Sequence, residues 1–385
     1  MKLLKKLKRK RIVISSDTYF PMVDGVTRFI NEVAPKLNDD YEIIIIAPKF
    51  KKNVERKFNT LFCPTIKLFS VAGYPAAIPK LFKMYKVIKE AKLVFVQSGP
   101  FIGGASVLLA RLLKKPVVMY MHQISWEQLS AIARGPDWFK NMVRRFSVWY
   151  TRFFANRCHV LMVPNEEVVK KLEDNGVYKE KVIIPLGINV KKFVPSEDKV
   201  LSKKKIGINS KKIVIGYCGR ISYEKDVDTL LKAFKRLKQR IKNVFLLIVG
   251  DGNDEIKDRI KMTKNTMITG FVNDVIPYYQ AMDIYVLPSL TETTGLTILE
   301  AMSCELPVMT TPVGFAISNI DKNENGILFP KTSVEVLTTK LEELVKNAKL
   351  REYIARGGRL TIEREFTWEK TAEKIKKEFN KFLDV

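Results

Sequence analysis

The chain has 385 residues, enough for two domains of ordinary size, and its 46% hydrophobic and 28% charged content excludes a disordered protein. Its 67 basic and 41 acidic residues give a net charge of +26, which indicates a polyanionic partner: nucleic acid, an anionic membrane surface or a phosphorylated substrate. We find no zinc-finger, RNP-type aromatic or helix-turn-helix pattern, so we predict no nucleic-acid partner.

Cysteine and histidine usage argues against a metal site. The four cysteines are scattered without Cys-x2-Cys spacing, which indicates a reducing compartment and no zinc. Only two histidines are present: His122 closes a predicted strand, and His159 is interpreted as structural. We therefore predict no bound metal and no cofactor.

No membrane-spanning segment is predicted. The longest uncharged stretch, residues 93–110, is broken by glycines and is predicted to be a strand, a loop and the start of a helix. The N-terminus carries many charges and has no apolar segment of the kind found in signal peptides. We therefore expect a cytoplasmic protein.

Strands and helices alternate through the first half of the chain. Residues 11–16 are predicted to form an apolar strand, 17–25 a loop, 26–37 a helix and 41–47 a second strand. Further strands are predicted at 93–97, 117–121, 160–163 and 182–185. This alternation is typical of an α/β protein with a parallel, doubly wound sheet.

The same pattern restarts after Pro195. Strands are predicted at 213–217, 244–249, 267–269, 284–287 and 308–310, and an amphipathic helix at 368–383 ends the chain. We predict an N-terminal Rossmann-like domain over 1–190 and a C-terminal one over 191–367. A functional site is expected in the cleft between the two.

A basic motif follows the first strand of the second half. It runs Gly219-Arg220-Ile221-Ser222-Tyr223-Glu224-Lys225 and leads into a predicted helix. Glycine permits a sharp turn, so Arg220 and Lys225 can reach one point beyond the strand. A guanidinium and an ammonium there would neutralise a diphosphate as it becomes a leaving group. In isolation, two solvated basic residues would be the simpler interpretation.

Two carboxylates mark a later strand-to-helix loop. Glu292 lies in the loop, and Glu300 lies in a helix whose first turns are predicted from residue 298. Backbone N–H groups of Gly295, Leu296 and Thr297 would point out of the helix N-terminus, which suits a phosphate. One carboxylate could then hold a sugar hydroxyl and the other the hydroxyls of a ribose.

The spacing of these carboxylates resembles the Glu-x7-Glu signature of retaining family 4 glycosyltransferases of the GT-B fold. The resemblance continues in Glu305-Leu306-Pro307-Val308, in Pro312-Val313-Gly314 and in a Gly-Arg-x4-Lys motif at 219–225. The opening loop at 17–26 is similar to that of the lipid-glycosylating and mannosylating branches. Many members have phenylalanine immediately before the glycine that corresponds to Gly295, whereas this chain has Thr294 there. The threonine form is familiar in diacylglycerol glucosyltransferases.

The resemblance implies a nucleotide-diphosphate sugar as co-substrate, with a UDP-sugar favoured and GDP-mannose as the other candidate. It implies that residues 368–385 return to the N-terminal domain, which binds the acceptor, while the C-terminal domain binds the nucleotide sugar. The implied catalytic residues are His122, Arg220, Lys225 and Glu292. The implied donor-binding residues are Gly25, Gly219, Arg220, Lys225, Phe271, Val272, Glu292, Gly295, Leu296, Thr297 and Glu300.

Positive charge is concentrated in two stretches. Lys2–Arg11 holds seven basic and no acidic residues, and Arg134–Arg157 holds six basic residues against one acid. A basic helix rich in Trp and Phe is typical of an interfacial membrane helix, although its apolar face could equally pack inside the domain. We predict that both stretches contact an anionic membrane surface. The apolar face predicted for the second stretch consists of Phe139, Met142, Val143, Phe146, Tyr150 and Phe153.

We therefore expect a retaining, metal-independent glycosyltransferase on the inner face of the cell membrane. Its acceptor would be a membrane lipid such as a diacylglycerol, a glycolipid or an ether lipid. The alternatives are a soluble or polysaccharide-precursor acceptor and, less favoured, a nucleotide-sugar 2-epimerase. A non-catalytic membrane or nucleic-acid binding protein is disfavoured, because a binder need not keep both charged motifs together.

Overall fold

The computed structural model describes residues 9–22, 24–50, 57–71, 74–97, 99–133, 135–321 and 324–384. The chain forms two compact units. Unit 1 comprises Met1–Pro185 with Trp368–Val385, and unit 2 comprises Leu186–Thr367. Each unit is built on a parallel sheet connected through helices, so the predicted α/β class with two Rossmann-like units is confirmed.

The described part of unit 1 contains a seven-stranded parallel sheet and one antiparallel hairpin. Its strands are β1 (Arg11–Ser15), β2 (Glu42–Pro48), β3 (Asn59–Cys63), β4 (Thr65–Val71), β5 (Tyr74–Ala77), β6 (Leu93–Val96), β7 (Val117–Tyr120), β8 (Val160–Val163) and β9 (Lys181–Ile183). β4 and β5 form the hairpin, and the others are ordered β3-β2-β1-β6-β7-β8-β9. The order reverses between the neighbours β1 and β6, which makes this the topological switch point of unit 1, where ligands bind in such sheets.

Continuous apolar runs explain these strands. All four residues of Leu93–Val96 are fully buried, as is typical of a parallel strand covered on both faces. The helices of the first part of unit 1 are α1 (Gly25–Asn38), α2 (Leu81–Lys89), α3 (Ile102–Leu112), α4 (Ser125–Ile132), α5 (Asp137–Ala155) and α6 (Glu166–Asp174).

The described part of unit 2 contains a six-stranded parallel sheet, ordered β12-β11-β10-β13-β14-β15. Its strands are β10 (Ile213–Cys218), β11 (Val244–Val249), β12 (Thr266–Ile268), β13 (Ile284–Leu287), β14 (Val308–Thr310) and β15 (Ile327–Leu328). Its helices are α7 (Lys199–Lys205), α8 (Val227–Arg240), α9 (Asp254–Lys261), α10 (Ile276–Ala281), α11 (Leu296–Ser303), α12 (Phe315–Asn319), α13 (Val334–Lys346) and α14 (Ala348–Glu365). The strand order reverses between β10 and β13, the switch point of unit 2.

The last helix, α15 (Trp368–Leu383), returns to unit 1 as expected. It packs on α1 and on the sheet: the ring centroids of Trp368 and Phe29 are 6.1 Å apart, and those of Phe379 and Phe95 are 5.1 Å apart. All four rings are buried. Full burial of such a side chain contributes roughly 1.5–3 kcal/mol. This burial explains why α15 packs on unit 1 although the preceding residues belong to unit 2.

The structure differs from the predicted elements mainly at their ends. The strand predicted to reach Pro185 ends at Ile183, and the helix predicted from residue 298 begins at Leu296. The sequence pattern does not predict β3, β15 or the hairpin. These strands are short or lie at sheet edges, where hydrophobic periodicity is weak.

Candidate active site

Two loops of unit 2 meet at its topological switch point. β10 leads into the loop 219–226, and β13 leads into the loop 288–295 that precedes α11. Because β10 and β13 are parallel neighbours, these loops leave the same edge of the sheet side by side. The fold thus brings the basic motif next to the first glutamate, although 67 positions separate Lys225 from Glu292.

Glycines shape the first loop. Gly219 has a φ of +150°, and Gly250, which follows β11, has a φ of +141°. A Cβ on Gly250 would stand 1.9 Å from Gly219 O, so only glycine lets the two loops come this close. The first loop then makes one 3₁₀ turn at Tyr223–Lys225, and Asp226 caps α8 by accepting a hydrogen bond from Thr229 N.

Lys225 and Glu292 are in direct contact. Lys225 Nζ donates to Glu292 Oε1 at 2.5 Å, and Ser289 Oγ donates to the same oxygen at 2.9 Å. The side chains of the ion pair are only 19% and 12% exposed. Backbone atoms join the loops as well, since Leu290 N donates to Glu224 O at 2.9 Å. Charges withdrawn from water need further polar partners, which makes this pair a candidate ligand site.

Arg220 lies in the same loop but takes no part in this contact. Its side chain is 72% exposed, and its Nη2 lies 3.8 Å from Glu224 Oε1. An ion pair this exposed contributes little stability, so the guanidinium can turn toward an incoming anion. The two basic groups of the motif therefore have different partners in the structure.

Helix α11 presents an uncapped N-terminus beside the ion pair. Gly295 occupies the cap position with a φ of +75°, no side chain accepts a hydrogen bond there, and the first turn holds no acidic residue. A Cβ on Gly295 would lie 3.9 Å from Glu292 Cγ. An aspartate or asparagine side chain caps each of α1, α6, α7, α8, α9 and α14. Helix α11 shares the lack of such a cap with α2, α4, α5, α10, α12 and α13. The first N–H groups of α11, at Leu296 and Thr297, therefore form a positively polarised end that suits an anion.

Glu300 belongs to the same helix but lies inside unit 2. It is 5% exposed, and Tyr279 Oη donates to its Oε2 at 2.8 Å. Tyr279 is itself fully buried and packs against Tyr285, with 5.8 Å between the ring centroids. A ribose hydroxyl would therefore have to share this carboxylate with Tyr279.

Phe271 and Val272 follow β12 and differ in exposure. Phe271 is 76% exposed, whereas Val272 packs against the core of unit 2. Gly270, just before them, has a φ of +70° and forms a β-bridge with Gly250, which ties this loop to the glycine after β11. The exposed ring of Phe271 is available to stack on a planar ligand.

In unit 1, His122 follows β7 at the carboxyl edge of the sheet. Its Nε2 lies 2.9 Å from Gln97 Oε1, and its ring centroid lies 4.8 Å from that of Phe29 and 4.5 Å from that of Tyr120. Burial lowers the pKa of His122 to about 3, so the ring is neutral at physiological pH. With the Gln97 amide oriented so that its oxygen faces the ring, this contact places the proton on Nε2 and leaves Nδ1 as an acceptor.

Asp17 has a role that the sequence pattern does not reveal. It follows β1, and its carboxylate accepts hydrogen bonds from the N–H groups of Phe101 at 3.2 Å, Ile102 at 2.9 Å and Gly103 at 2.9 Å. These groups form the start of α3. Burial raises the pKa of Asp17 to about 6, and the three hydrogen bonds oppose that rise. The sequence shows an aspartate that opens the loop at 17–26 directly after an apolar strand, but not its partners, which lie more than 80 positions away.

Gly25 begins α1 close to this loop. Asp24 caps the helix by accepting a hydrogen bond from Thr27 N, so one of the helix N–H groups is already bound. A Cβ on Gly25 would meet nothing within 4 Å. Space beside position 25 is therefore open to a ligand.

The basic aromatic stretch forms α5, and its fully buried residues lie outside the apolar face defined from the sequence. The buried residues are Ser147, Thr151 and Ala155. Part of the predicted face also packs inward, because α5 meets α3 at Gly104, where a Cβ would stand 2.5 Å from Tyr150 Oη. The exposed apolar side chains of α5 are Trp138 (67%), Met142 (51%), Phe146 (61%) and Trp149 (57%).

Part of the predicted membrane-binding sequence lies outside the described residues, namely residues 1–8 and Arg134. Within the N-terminal stretch, Arg11 is already paired with Glu42 and Glu90. Arg11 therefore contributes to the packing of unit 1 instead of forming a free surface charge.

Two features of the described ranges bear on metal and membrane binding. In this part of the chain, no group of three or more His, Cys, Asp or Glu side chains is arranged to hold a metal ion. Over the same residues, none of the helices combines the length and the apolar composition needed to cross a bilayer.

Comparison with known proteins identifies the family. Residues 198–361 match the family model described as Glycosyl transferases group 1, and residues 23–192 match the one described as Glycosyltransferase Family 4. The chain is 29% identical to the alpha-monoglucosyldiacylglycerol synthase of Streptococcus pneumoniae over 314 residues, which cover 78% of this chain and 70% of that protein. It is 28% identical to the capsular polysaccharide biosynthesis glycosyltransferase CapM of Staphylococcus aureus over 319 residues, covering 80% and 81%.

Among solved structures, Anabaena HepE in complex with UDP-glucose matches with a TM-score of 0.76 and 17% identity, covering 96% of this chain and 99% of that chain. At this identity the match shows the fold. The Glycosyltransferase Family 4 model covers most of unit 1, and the Glycosyl transferases group 1 model lies within unit 2. The chain is therefore a glycosyltransferase and belongs to family 4, with the GT-B fold.

Proposed function

We propose that the chain is a retaining glycosyltransferase that moves a hexose from a nucleotide-diphosphate sugar, with a UDP-sugar favoured, to a membrane lipid. The observation that carries the proposal is the contact between Lys225 and Glu292 beside the uncapped N-terminus of α11. An ammonium group and helix N–H groups suit a phosphate, and the adjoining carboxylate suits a hydroxyl.

In this proposal, residues 191–367 bind the donor, and residues 1–190 with 368–385 bind the acceptor. The diphosphate lies on Lys225 and on the N–H groups of Gly295, Leu296 and Thr297, and Arg220 turns toward it. Drawing Lys225 toward the diphosphate releases Glu292 to accept a hydrogen bond from a sugar hydroxyl. The remaining donor contacts are Gly219 near the phosphates, Glu300 at the ribose, Phe271 and Val272 at the base, and Gly25 and His122 from the N-terminal domain.

The reaction requires no side-chain nucleophile. The bond from the sugar to the phosphate oxygen breaks while the acceptor oxygen bonds to the same face of the sugar, and the departing phosphate oxygen takes the acceptor's proton. Positive groups stabilise the charge that develops on the diphosphate, and one such donor is typically worth roughly 10² to 10³ in rate. Lys225, Arg220 and the amides of α11 supply this charge, so we propose that no metal ion is needed.

A lipid acceptor at the inner face of the cell membrane is supported by two features. One relative is named as a synthase of a glucosylated diacylglycerol. Helix α5 exposes Trp and Phe side chains among arginines, the composition of a helix that lies in a membrane interface. Each basic residue near an anionic leaflet contributes about 1 kcal/mol, so Arg134–Arg157, together with the basic residues of Lys2–Arg11 other than Arg11, could hold a peripheral protein there.

A polysaccharide precursor is the second candidate acceptor. The similarity to CapM, a capsular polysaccharide glycosyltransferase, is as extensive as the similarity to the lipid synthase. The exposed apolar side of α5 favours the lipid over this acceptor.

Transfer assays on the purified full chain test the proposal. The protein is incubated with UDP-glucose, UDP-galactose or GDP-mannose and with vesicles that contain diacylglycerol, in the presence of EDTA. With a donor labelled in its sugar, we expect the label to appear in the lipid phase. NMR of the glycolipid product should show the same anomeric configuration as the donor sugar. Transfer to a soluble oligosaccharide alone would favour the second candidate. Donor conversion without any acceptor would indicate an epimerase and contradict the proposal.

A further inference from the structure

We propose that three arginines of α5 form a pocket for the phosphate of an anionic phospholipid headgroup. The pocket lies in unit 1, where α5 meets the end of α6, and has a volume of about 230 Å³. This inference rests on the membrane contact proposed above and gives that contact a specific ligand. The pocket is lined by Arg144, Arg145, Val148, Trp149, Arg152 and Asn175.

Helical spacing places these side chains around one point. Arg145, Trp149 and Arg152 stand at positions i, i+4 and i+7 of α5 and therefore share one side of the helix. Arg144 and Val148 form the neighbouring row at i and i+4. None of the six lining residues is acidic.

The three guanidinium groups lack a counter-charge. Within the described residues, no carboxylate lies at ion-pair distance from Arg144, Arg145 or Arg152, and all three are exposed. Some other arginines of the chain do have acidic partners: Arg259 pairs with Asp228, for example. Like charges gathered at one cavity repel each other, so binding an anion there is favourable.

The side chain of Arg152 lies close to the turn after α6. A Cβ on Gly176 would stand 2.9 Å from Arg152 Cδ, and Gly176 has a φ of +77°, so a larger residue is disfavoured there. Asn156, at the end of α5, donates through Nδ2 to Gly176 O at 3.0 Å and fixes the turn. Side chains ordered before binding lose less entropy when the ligand arrives.

An aromatic surface beside the pocket favours a lipid over a free phosphate. The ring centroid of Trp149 lies 5.7 Å from that of Phe146 and 5.8 Å from that of Phe153, and Trp149 and Phe146 are more than half exposed. Such rings prefer the headgroup level of a bilayer, and guanidinium groups bind phosphate in a bidentate manner. The volume is below the roughly 300 Å³ at which pockets for drug-sized ligands begin, so it suits a headgroup and not a nucleotide sugar.

Vesicle binding by the full chain, without donor, tests the pocket. The double variant R145Q/R152Q is compared with R236Q/R356Q, which removes the same charge from two exposed arginines of unit 2. On phosphatidylcholine vesicles that contain phosphatidylglycerol, we expect R145Q/R152Q to bind at least about tenfold more weakly than wild type, and the control to change by less than about twofold. Equal binding by the two double variants would overturn the proposal.

Two further arms separate the pocket from general charge attraction and from free phosphate. R145K/R152K keeps the charge but loses bidentate geometry, so it should bind more weakly than wild type and more tightly than the glutamine variant. Wild-type binding by this variant would overturn the pocket. If inorganic phosphate shifts the arginine Nε–H NMR signals but R145Q/R152Q leaves vesicle binding unchanged, the lipid assignment is wrong. These assays measure vesicle binding and not glycosyl transfer. The pocket proposal can therefore be wrong while the glycosyltransferase proposal is right, and the glycosyltransferase proposal can be wrong while the pocket proposal is right.

Discussion

In unit 1 the N-terminus of α3 faces the loop after β1, and in unit 2 the N-terminus of α11 faces the loop after β10. The two places are equivalent, since each helix follows the strand across the switch point of its own sheet. In unit 1 the facing loop supplies Asp17, whose carboxylate binds the first N–H groups of the helix. In unit 2 it supplies Lys225, and the helix begins at Gly295 without a side-chain cap.

The difference shows how one architecture yields a structural element in one unit and a candidate ligand site in the other. The doubly wound fold provides a positively polarised helix end at each switch point. An anion from the chain itself satisfies that end in unit 1. A cation placed next to an open end in unit 2 leaves room for an anion from outside.

The largest expected effect concerns the cation of unit 2. Changing Lys225 to Ala should lower glycosyl transfer by roughly 10² to 10³, and changing Arg220 to Ala by at least about tenfold, because each removes positive charge from the leaving diphosphate. Steady-state transfer assays measure this. Lys232→Ala and Arg236→Ala, on the following helix α8, are the matched controls and should stay near wild type. Wild-type turnover in both site variants would show that the open helix end of unit 2 is not where the leaving group lies.

The carboxylate of Asp17 in unit 1 should contribute to the stability of the N-terminus of α3. Asp17→Ala leaves three backbone N–H groups without their acceptor, at an expected cost of about 1–3 kcal/mol in the stability of the α3 start. Hydrogen exchange at Phe101, Ile102 and Gly103 should be faster in this variant. Asp39→Ala, an exposed aspartate at the end of α1, should leave those rates unchanged. If hydrogen exchange at these three residues is unchanged in the Asp17 variant, Asp17 does not stabilise the N-terminus of α3. The proposed difference between the N-termini of α3 and α11 would then be wrong.

A smaller effect is the pH dependence that Asp17 confers. Burial raises the pKa of Asp17 from its ordinary value of 3.8 to about 6, so the folded chain binds this proton more tightly than the unfolded chain. The stabilising proton is fully present below the unfolded pKa and is lost as pH rises through about 6. We compare the free energy of unfolding of wild type with that of Asp17→Asn. The wild-type value minus the variant value should fall between pH 4 and pH 6 and stay constant above pH 6. A difference that stays flat over this range would contradict the assignment.

Chelation is expected to have no effect at all. Because side chains and helix N–H groups supply the positive charge, transfer in EDTA should equal transfer in buffer. Loss of transfer in EDTA, with recovery on adding magnesium or manganese, would mean that the positive charge in unit 2 is insufficient without a metal ion.

Local patterns predict most of the fold. Strands such as Val244–Val249 are continuous apolar runs between polar segments, and α15 carries apolar residues at helical spacing from Trp368 to Leu383, so both follow from sequence periodicity. The face of α5 that packs inward does not follow in the same way. Aromatic residues dominate its hydrophobicity, but the small side chains of Ser147 and Ala155 are among the residues that it buries.

The candidate site follows from the sequence only in part. Motif spacing singles out Lys225 and Glu292, but their contact depends on β10 and β13 being neighbours, which no local pattern encodes. The burial of Glu300 against Tyr279, and the cap that Asp17 provides for α3, are likewise long-range contacts. Sequence therefore indicates the residue types of the site, and the sheet order determines which of them meet.

Calorimetric titration of the full chain with UDP and with uridine, both in EDTA, tests the central claim most directly. If Lys225 and the open end of α11 hold the diphosphate, Lys225→Ala should bind UDP at least about tenfold more weakly than wild type or Lys232→Ala, while all three proteins bind uridine alike. Equal UDP affinity in all three proteins would contradict the account, because the diphosphate would then lie elsewhere.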